Sequence, residues 1–155
     1  MNVFLRKANI FDIQEIFEMS NEAREFSFNT EKIKYEDHRE WFKNKISDNK
    51  CLFFVAYRND EIIGQVRFDC KYKTAVVSIS LKECFRGSGR AKKILYLALQ
   101  FIKMETNIKK IKAYVKKDNI ISNKFFKKCG FKFKIENKIC NEFIFNLEED
   151  SFNVN

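Results

Sequence analysis

The chain has 155 residues, a formal net charge of +9 and 45% hydrophobic residues, which suffices for one domain with its own core. It contains no run of about 18 apolar residues and no apolar region typical of a signal peptide, so neither a membrane span nor secretion is expected. Its five cysteines lack CxxC spacing, and there is a single histidine. This pattern predicts free thiols in a cytoplasmic protein, with no disulfide framework and no metal site.

Charge is distributed unevenly along the chain. Residues 1–81 carry 13 basic and 13 acidic side chains, whereas residues 82–138 carry 17 basic and 4 acidic ones. Residues 139–155 carry 4 acidic side chains and no basic ones. The basic segment, residues 82–138, is therefore either an ordinary set of solvated lysines or a surface that meets a polyanion, such as cofactor phosphates or nucleic acid.

The first half of the chain predicts one strand, two helices and three further strands. Val3 to Arg6 is a short strand. Asp12, with Glu15 three residues later, resembles a capping box and opens the first helix. After a polar loop, a second helix is predicted over residues 35–46. Apolar runs then predict strands over 51–57, 61–69 and 74–81, the first two joined by a hairpin turn at Arg58-Asn59-Asp60.

The second half predicts a helix, a strand, a short helix and two final strands. Apolar residues recur at 3- and 4-residue steps from Ala91 to Ile102, which is typical of an amphipathic helix. Strands are predicted over 111–115, 131–135 and 142–147, and a short helix over 122–130. The order β-α-α-β-β-β-α-β-α-β-β predicts a mixed α/β fold in one domain, residues 1–148, followed by an acidic and polar tail, 149–155.

Two of the four glycines lie in the turn Arg86-Gly87-Ser88-Gly89-Arg90-Ala91, where a strand meets the amphipathic helix. The start of a helix leaves backbone N–H groups unpaired, and the helix dipole adds positive charge there, so such a turn favours phosphate. The spacing fits neither a Walker loop nor G-x-G-x-x-G. From these residues alone, the turn is either a phosphate site or an ordinary tight turn.

Within this turn, Arg86-x-x-Gly89-x-Ala91 resembles the R/Q-x-x-G-x-G/A signature of the GCN5-related N-acetyltransferases. A downstream block, with Asn119, Ser122 and Gly130-Phe131, is similar to that family as well, and so is the order of elements. The resemblance covers nearly the whole chain. It implies a central mixed, largely antiparallel sheet whose strands 4 and 5 are splayed apart, flanked by about four helices.

The resemblance further implies acetyl-coenzyme A as cosubstrate and no metal. Strand amides would pair with the pantetheine arm, and the glycine turn would hold the pyrophosphate. The positions assigned to the coenzyme are Ile79, Ser80, Leu81, Arg86, Gly87, Ser88, Gly89, Arg90, Ala91, Asn119, Ser122 and Phe126. Ser122 is alternatively a helix cap, and the neighbouring Phe125 is expected in the core.

The catalytic groups are less clearly indicated. Many relatives place a tyrosine as general acid four residues before the glycine of Gly-Phe, but Phe126 stands there in this chain. Tyr114 is the substitute, although a thiol with a pKa near 8.5 can also leave as a thiolate unaided. The candidates for general base are Glu25, Asp69, Glu83 and His38, and His38 is alternatively a structural residue.

The segment from Ser27 to Trp41 resembles acetyltransferases that act on nucleotide-linked amino sugars in bacterial surface-sugar pathways such as pseudaminic acid synthesis. The expected acceptor is therefore such a sugar. The expected contacts are Ser27, Phe28, Asn29, His38 and Trp41, with Arg67 on a diphosphate.

Other acceptors and another class of protein remain open at this point. A protein N-terminus or a polyamine is the alternative acceptor within the family. An RNA- or ribosome-binding module that uses the basic segment is the alternative class, but no RNA-recognition signature is present. We expect no nucleic-acid or membrane partner, and a homodimer is one option for the assembly.

Overall fold

The computed structural model describes residues 2–136 and 139–155, so Lys138 at the end of the basic segment lies outside the described residues. The strands are β1 (Phe4–Lys7), β2 (Cys51–Arg58), β3 (Glu61–Lys71), β4 (Thr74–Leu81), β5 (Lys110–Lys116), β6 (Lys132–Glu136) and β7 (Cys140–Asn146). The α-helices are α1 (Ile13–Glu22), α2 (Tyr35–Ser47), α3 (Arg90–Glu105) and α4 (Ile120–Cys129). The predicted order of elements is confirmed. In the part of the chain described, no helix is long and apolar enough to cross a membrane.

All these strands form one sheet in the order β1-β2-β3-β4-β5-β7-β6. Neighbours are antiparallel except β4 and β5, which run parallel because α3 crosses between them. The predicted hairpin between β2 and β3 turns at Asn59 and Asp60, whose φ angles of 49° and 65° suit the tight turn of a two-residue loop. The mixed, largely antiparallel sheet is therefore as predicted.

The sheet forks between β4 and β5. These strands are paired only over Thr74–Val76 and Lys110–Lys112. Beyond that point β4 stays with β3 as far as Leu81, and β5 stays with β7 as far as Lys116. The predicted splaying of strands 4 and 5 is confirmed, and it opens the middle of the sheet.

The two faces of the sheet have different character. One face, with Val66 and Phe68 of β3, joins α3 and α4 in the main apolar core. Because strand side chains alternate, Gln65 and Arg67 lie on the opposite face, towards α1 and α2. The core under α1 and α2 is smaller, centred on Phe42 and its neighbours. Polar side chains are therefore enclosed on the α1–α2 side of the sheet.

The start of α1 differs from its prediction. Asp12 does not cap the helix with its side chain. Its carboxylate instead accepts two hydrogen bonds from Arg6, at 2.8 and 2.7 Å, and one from the N–H of Asn9. The capping box therefore forms between Asn9 and Asp12, three residues earlier than predicted. Arg6 on the adjacent strand is the reason, since a paired guanidinium binds a carboxylate more strongly than backbone N–H groups do.

The C-terminal segment packs against the domain. Phe152 contacts the rings of Tyr96 and Phe145, and the N–H of Asn153 donates to the carbonyl of Cys129 at 3.1 Å. Gly130, which ends α4, has φ +102°, and a Cβ built there would lie 2.6 Å from the carbonyl oxygen of Ser151. Residues 149–155 thus cover the end of α4, and Gly130 is required by both backbone conformation and packing.

Gly130→Ala should lower the free energy of unfolding by about 2–4 kcal/mol, because it adds a side chain to left-handed backbone and presses it against Ser151. Chemical denaturation measures the loss. Gly87→Ala is the matched control, since Gly87 has φ +81° and a Cβ added there would meet no atom within 4 Å. The control should lose about 1–2 kcal/mol. Equal losses in the two variants would show that the Ser151 contact is unimportant.

Candidate active site

A cavity of about 640 Å³ lies at the fork and continues along the α1–α2 face of the sheet. It is bounded by β3, β4, β5, the start of α4, the helices α1 and α2, and the loop that joins those two helices. The residues predicted for the site that line it are Ser27, Phe28, His38, Trp41, Arg67, Ile79, Ser80, Tyr114, Asn119, Ser122 and Phe126. The cavity therefore brings together most of the predicted coenzyme arm and acceptor positions.

Backbone groups of β4 face the fork. The N–H of Lys82 donates to the carbonyl of Ile63 on β3 at 2.9 Å. Because the direction of backbone groups alternates along a strand, those of Leu81 and Ile79 point away from β3, towards β5. The carbonyl of Leu81 accepts from Nε of Arg86 at 3.2 Å. The remaining groups at these two residues can pair with an amide-bearing ligand as a neighbouring strand would.

The glycine turn follows β4 after one short turn of 3-10 helix and leads directly into α3. Gly87 and Gly89 have φ of 81° and 77°, and a Cβ at either would meet no atom of the described residues within 4 Å. Backbone conformation, not packing, therefore requires glycine here. Gly89 is the N-cap of α3 and offers no side-chain cap, so the first N–H groups of the helix are available for an anion.

Both arginines of the turn are held by protein contacts. Arg86 lies 3.6 Å from the carboxylate of Glu22 and over the ring of Phe26, while Arg90 donates to the hydroxyl of Ser88 at 2.5 Å. These contacts fix the turn against α1 and the loop after it. The turn residues 86–91 and Leu81 are not part of the cavity lining, and they adjoin it along the chain.

The start of α4 borders the fork. Oδ1 of Asn119 accepts from the N–H of Ser122 at 3.1 Å, so Asn119 is the cap of this helix and Ser122 is not. Phe126 is 6% exposed and packs on Phe131 and Phe143, so it belongs mainly to the core. Phe125, expected in the core alone, lines the cavity as well.

His38 lines the part of the cavity under α1 and α2, which we call the acceptor end. It is buried, with 1% of its surface exposed. Its Nε2 lies 3.2 Å from the carbonyl oxygen of Ile13, which can only accept, so Nε2 carries the hydrogen and Nδ1 is the acceptor. Burial lowers the pKa of His38, although the hydrogen bond to Ile13 opposes this. The ring also packs between Phe17 and Trp41. His38 is thus a neutral group that serves the core and the cavity together.

The structure does not bring the other predicted bases into the cavity. Glu25 and Glu83 are exposed and lie outside its lining. Burial alone would raise the pKa of the Asp69 carboxyl, but the hydrogen bond from Lys45 and the charge of Arg67 lower it below its usual value. Asp69 is therefore a structural ion-pair partner. Asn29 also lies outside the lining, with its side chain accepting from the N–H of Glu31.

Sequence reasoning missed several polar residues that line the cavity. Gln65 is buried and donates to the hydroxyl of Ser80 at 3.1 Å, within reach of Ser20 at 3.5 Å. The others are Arg24, Asp37, Ser78 and Lys116. The alternation of Gly-Gln-Val-Arg-Phe-Asp already placed Gln65 on the same face as Arg67, and that signal could have identified it.

The comparisons with known proteins agree with this geometry. A family model described as an acetyltransferase (GNAT) domain matches residues 2–132, so the chain belongs to the GCN5-related N-acetyltransferase family. Among curated proteins it is 29% identical over 136 residues to YwnH of Bacillus subtilis (strain 168), provisionally named a phosphinothricin acetyltransferase. That match covers 82% of each chain.

Two solved structures show the same fold. The spermidine N-acetyltransferase of Vibrio cholerae, in complex with CoA and spermine, is 21% identical with a TM-score of 0.84, over 95% of this chain and 96% of that one. A structure provisionally named a phosphinothricin N-acetyltransferase is 25% identical with a TM-score of 0.76, over 92% and 96%. The chain is an enzyme that uses acetyl-coenzyme A for N-acetylation.

Gly89→Asp should weaken binding of acetyl-coenzyme A more than a hundredfold, because a carboxylate would lie where the helix start receives phosphate. Isothermal calorimetry measures the affinity. Gly89→Asn is the matched control, with the same shape, no charge and similar tolerance of left-handed backbone. It should lose less than tenfold. Binding by the aspartate variant within about threefold of wild type, under 1 kcal/mol, would refute the pyrophosphate assignment.

Proposed function

We propose that the chain transfers the acetyl group of acetyl-coenzyme A to the primary amine of a small free molecule. The observation that carries this proposal is the continuity of one cavity from the β4–β5 fork to the pocket under α1 and α2. The fork suits the pantetheine arm, and the pocket can hold an amine against the thioester. A nitrogen–carbon bond forms, the carbon–sulfur bond breaks, and the amine loses a proton.

The strand backbone stabilises the developing oxyanion. The N–H of Leu81 faces the fork next to Ile79 and Ser80, where the thioester carbonyl would lie. A preorganised backbone donor at that place favours the transition state over the ground state. Coenzyme A then leaves as a thiolate, with a thiol pKa of about 8.5. Tyr114 of β5 is 43% exposed and lines the cavity, so its phenol is the candidate group to protonate the thiolate.

His38 is the proposed acceptor of the amine proton, directly or through water. It lines the cavity, its lowered pKa keeps it neutral, and Nδ1 is the nitrogen left to accept. Asp37 is the neighbouring carboxylate in the lining. Trp41 and Phe28 supply apolar surface beside them.

The acceptor is better supported as a small amine than as a nucleotide-linked amino sugar. The names of the relatives point to spermidine and phosphinothricin, both small free amines. These comparisons therefore favour the small-amine alternative. Ser27, Phe28 and Trp41 border the cavity, as the amino-sugar hypothesis expects, but they would suit either acceptor.

The basic segment gives little support to an RNA-binding function. Several of its lysines pair with carboxylates of the same chain. These ion pairs are Lys82–Glu15, Lys109–Glu148, Lys112–Glu142 and Lys132–Asp150. Because part of the surplus charge is already compensated, ordinary surface pairing explains these lysines without a nucleic-acid partner.

Release of the coenzyme A thiol tests the proposal across a panel of acceptors. The panel contains small free amines, spermidine, a nucleotide-linked amino sugar, its free sugar and a short peptide. We expect the highest kcat/KM with a small free amine, at least about tenfold above the peptide and the nucleotide-linked sugar. Faster transfer to the nucleotide-linked sugar would reinstate that acceptor, because remote binding energy would then be accelerating the reaction.

Tyr114→Phe should slow turnover less than tenfold, because the thiolate can leave without a proton donor. Steady-state kinetics with the best amine of the panel gives kcat, and calorimetry checks coenzyme binding. Phe125→Leu changes an apolar side chain of the same cavity lining and controls for altered packing. A hundredfold loss of kcat with unchanged binding would identify Tyr114 as the general acid.

A further inference from the structure

The cavity is lined by more positive than negative charge. Arg24, Arg67 and Lys116 border it, whereas Asp37 is the one carboxylate among the described residues that line it. A polyamine brings several positive charges of its own and would be repelled by this surface. An amine that also carries a negative group would be attracted.

Arg67 is the most strongly positioned of these cations. Its Nε donates to Asp69 at 3.0 Å and its Nη2 to the hydroxyl of Ser78 at 3.2 Å. The guanidinium also lies over the ring of Trp41, 5.0 Å from the centroid, and the side chain is only 21% exposed. A guanidinium held on three sides in this way is preorganised for a ligand on the remaining side.

The charge of Arg67 is only partly compensated. Asp69, its partner, also accepts from Nζ of Lys45 at 2.7 Å, so one carboxylate serves two cations. An arginine has five N–H donors, and Arg67 uses two of them on acceptors in the described part of the chain. The remaining donors are not buried, since Asn141 Oδ1 is the one buried side-chain N or O atom without a partner among the described residues, so they are accessible to a ligand from the cavity.

Arg24 provides a second cation across the cavity. Its Nε donates to the backbone carbonyl of Glu31 at 2.7 Å, and this bond carries no compensating charge. Arg24 belongs to the short 3-10 turn that follows α1, so it faces the cavity from the loop side while Arg67 faces it from the sheet. Two arginines, one from the loop and one from the sheet, therefore line the same cavity.

We infer that the acceptor is a primary amine bearing an oxyanion, a carboxylate or phosphoryl group, and that Arg67 is the specificity-determining residue that binds this oxyanion. The inference rests on the proposed function. Arg67 pairs with Ser78 across the strands, and Ser80 lies two residues further along β4, about 7 Å away. If the amine reacts beside Ser80, the acceptor carries its oxyanion about two strand residues, roughly 7 Å, from that amine.

The test uses four acceptors of equal chain length: an ω-amino carboxylate, the corresponding phosphonate, the uncharged amide and the diamine. Thiol release gives kcat/KM for each with the wild-type enzyme. We expect the better of the two anionic amines to exceed the amide and the diamine by at least tenfold. Comparing the carboxylate with the phosphonate identifies the oxyanion, and this part of the experiment needs no variant.

Arg67→Gln should reduce the preference for the anionic amine over the amide to within about threefold, mainly by raising the KM of the anionic amine. Arg39→Gln removes the same charge from α2 outside the cavity and should keep the full preference. A thermal shift with acetyl-coenzyme A confirms that each variant is folded.

Each outcome bears on a distinct claim. Equal wild-type rates for the anionic amine and its amide, or a faster diamine, would overturn the inference and leave the acetyltransferase with a small-amine acceptor. A preference that survives in Arg67→Gln would overturn the role of Arg67. Failure of every amine to release thiol, although the coenzyme binds, would overturn the proposed acceptor class and this inference with it.

Discussion

The pairing of β4 with β5 stops after three residues on each strand, and the functional architecture depends on this early separation. β4 keeps its ladder with β3, and β5 keeps its ladder with β7, so each half of the sheet is internally satisfied. Between them, the backbone groups of Ile79 and the N–H of Leu81 point towards the fork, where we propose that a ligand pairs with them, while the carbonyl of Leu81 accepts from Arg86. A sheet paired along its whole length would offer neither a cleft nor donors for a thioester carbonyl.

The glycine turn and the start of α4 form the surroundings of the fork. The glycine turn after β4 starts α3 next to the fork, so the proposed anion site and the proposed strand-like site follow each other along the chain. The start of α4, capped by Asn119, forms the opposite wall. Packing of α3 and α4 on one face of the sheet fixes these positions, while on the other face the cavity lies between the sheet and the helices α1 and α2.

The polar face holds its side chains through cross-strand pairs. Gln65 bonds Ser80 and Arg67 bonds Ser78, each across the ladder between β3 and β4. Such pairs hold the side chains of neighbouring strands in a fixed arrangement within the cavity lining. Asp69 and Lys45 extend the row away from the fork and support Arg67.

The sequence predicted those parts of the fold that depend on local pattern. Apolar periodicity located the helices and strands, and Gly87 and Gly89 located the turn that starts α3, because left-handed backbone and a helix start leave a local signature. The family resemblance added the fork, which pairing rules alone do not predict.

The acceptor end could not be predicted in the same way because it depends on contacts between distant residues. The sequence offers both Glu25 and Asp69 as candidate bases. In the structure Glu25 is exposed to solvent, and the carboxylate of Asp69 forms ion pairs with Lys45 and Arg67. The capping box moved to Asn9 because Arg6 of β1 binds Asp12. The segment with Phe152 looks like a polar tail by composition, but its aromatic ring reaches α3 and β7.

Hydrogen–deuterium exchange with and without acetyl-coenzyme A tests most directly that the fork and the glycine turn form one coenzyme site. We expect slower exchange at amides 77–81 and 86–92 on binding, with little change in β1, β2 and β6. Slowed exchange confined to other parts of the sheet, or no change within the fork when the coenzyme is bound, would contradict it.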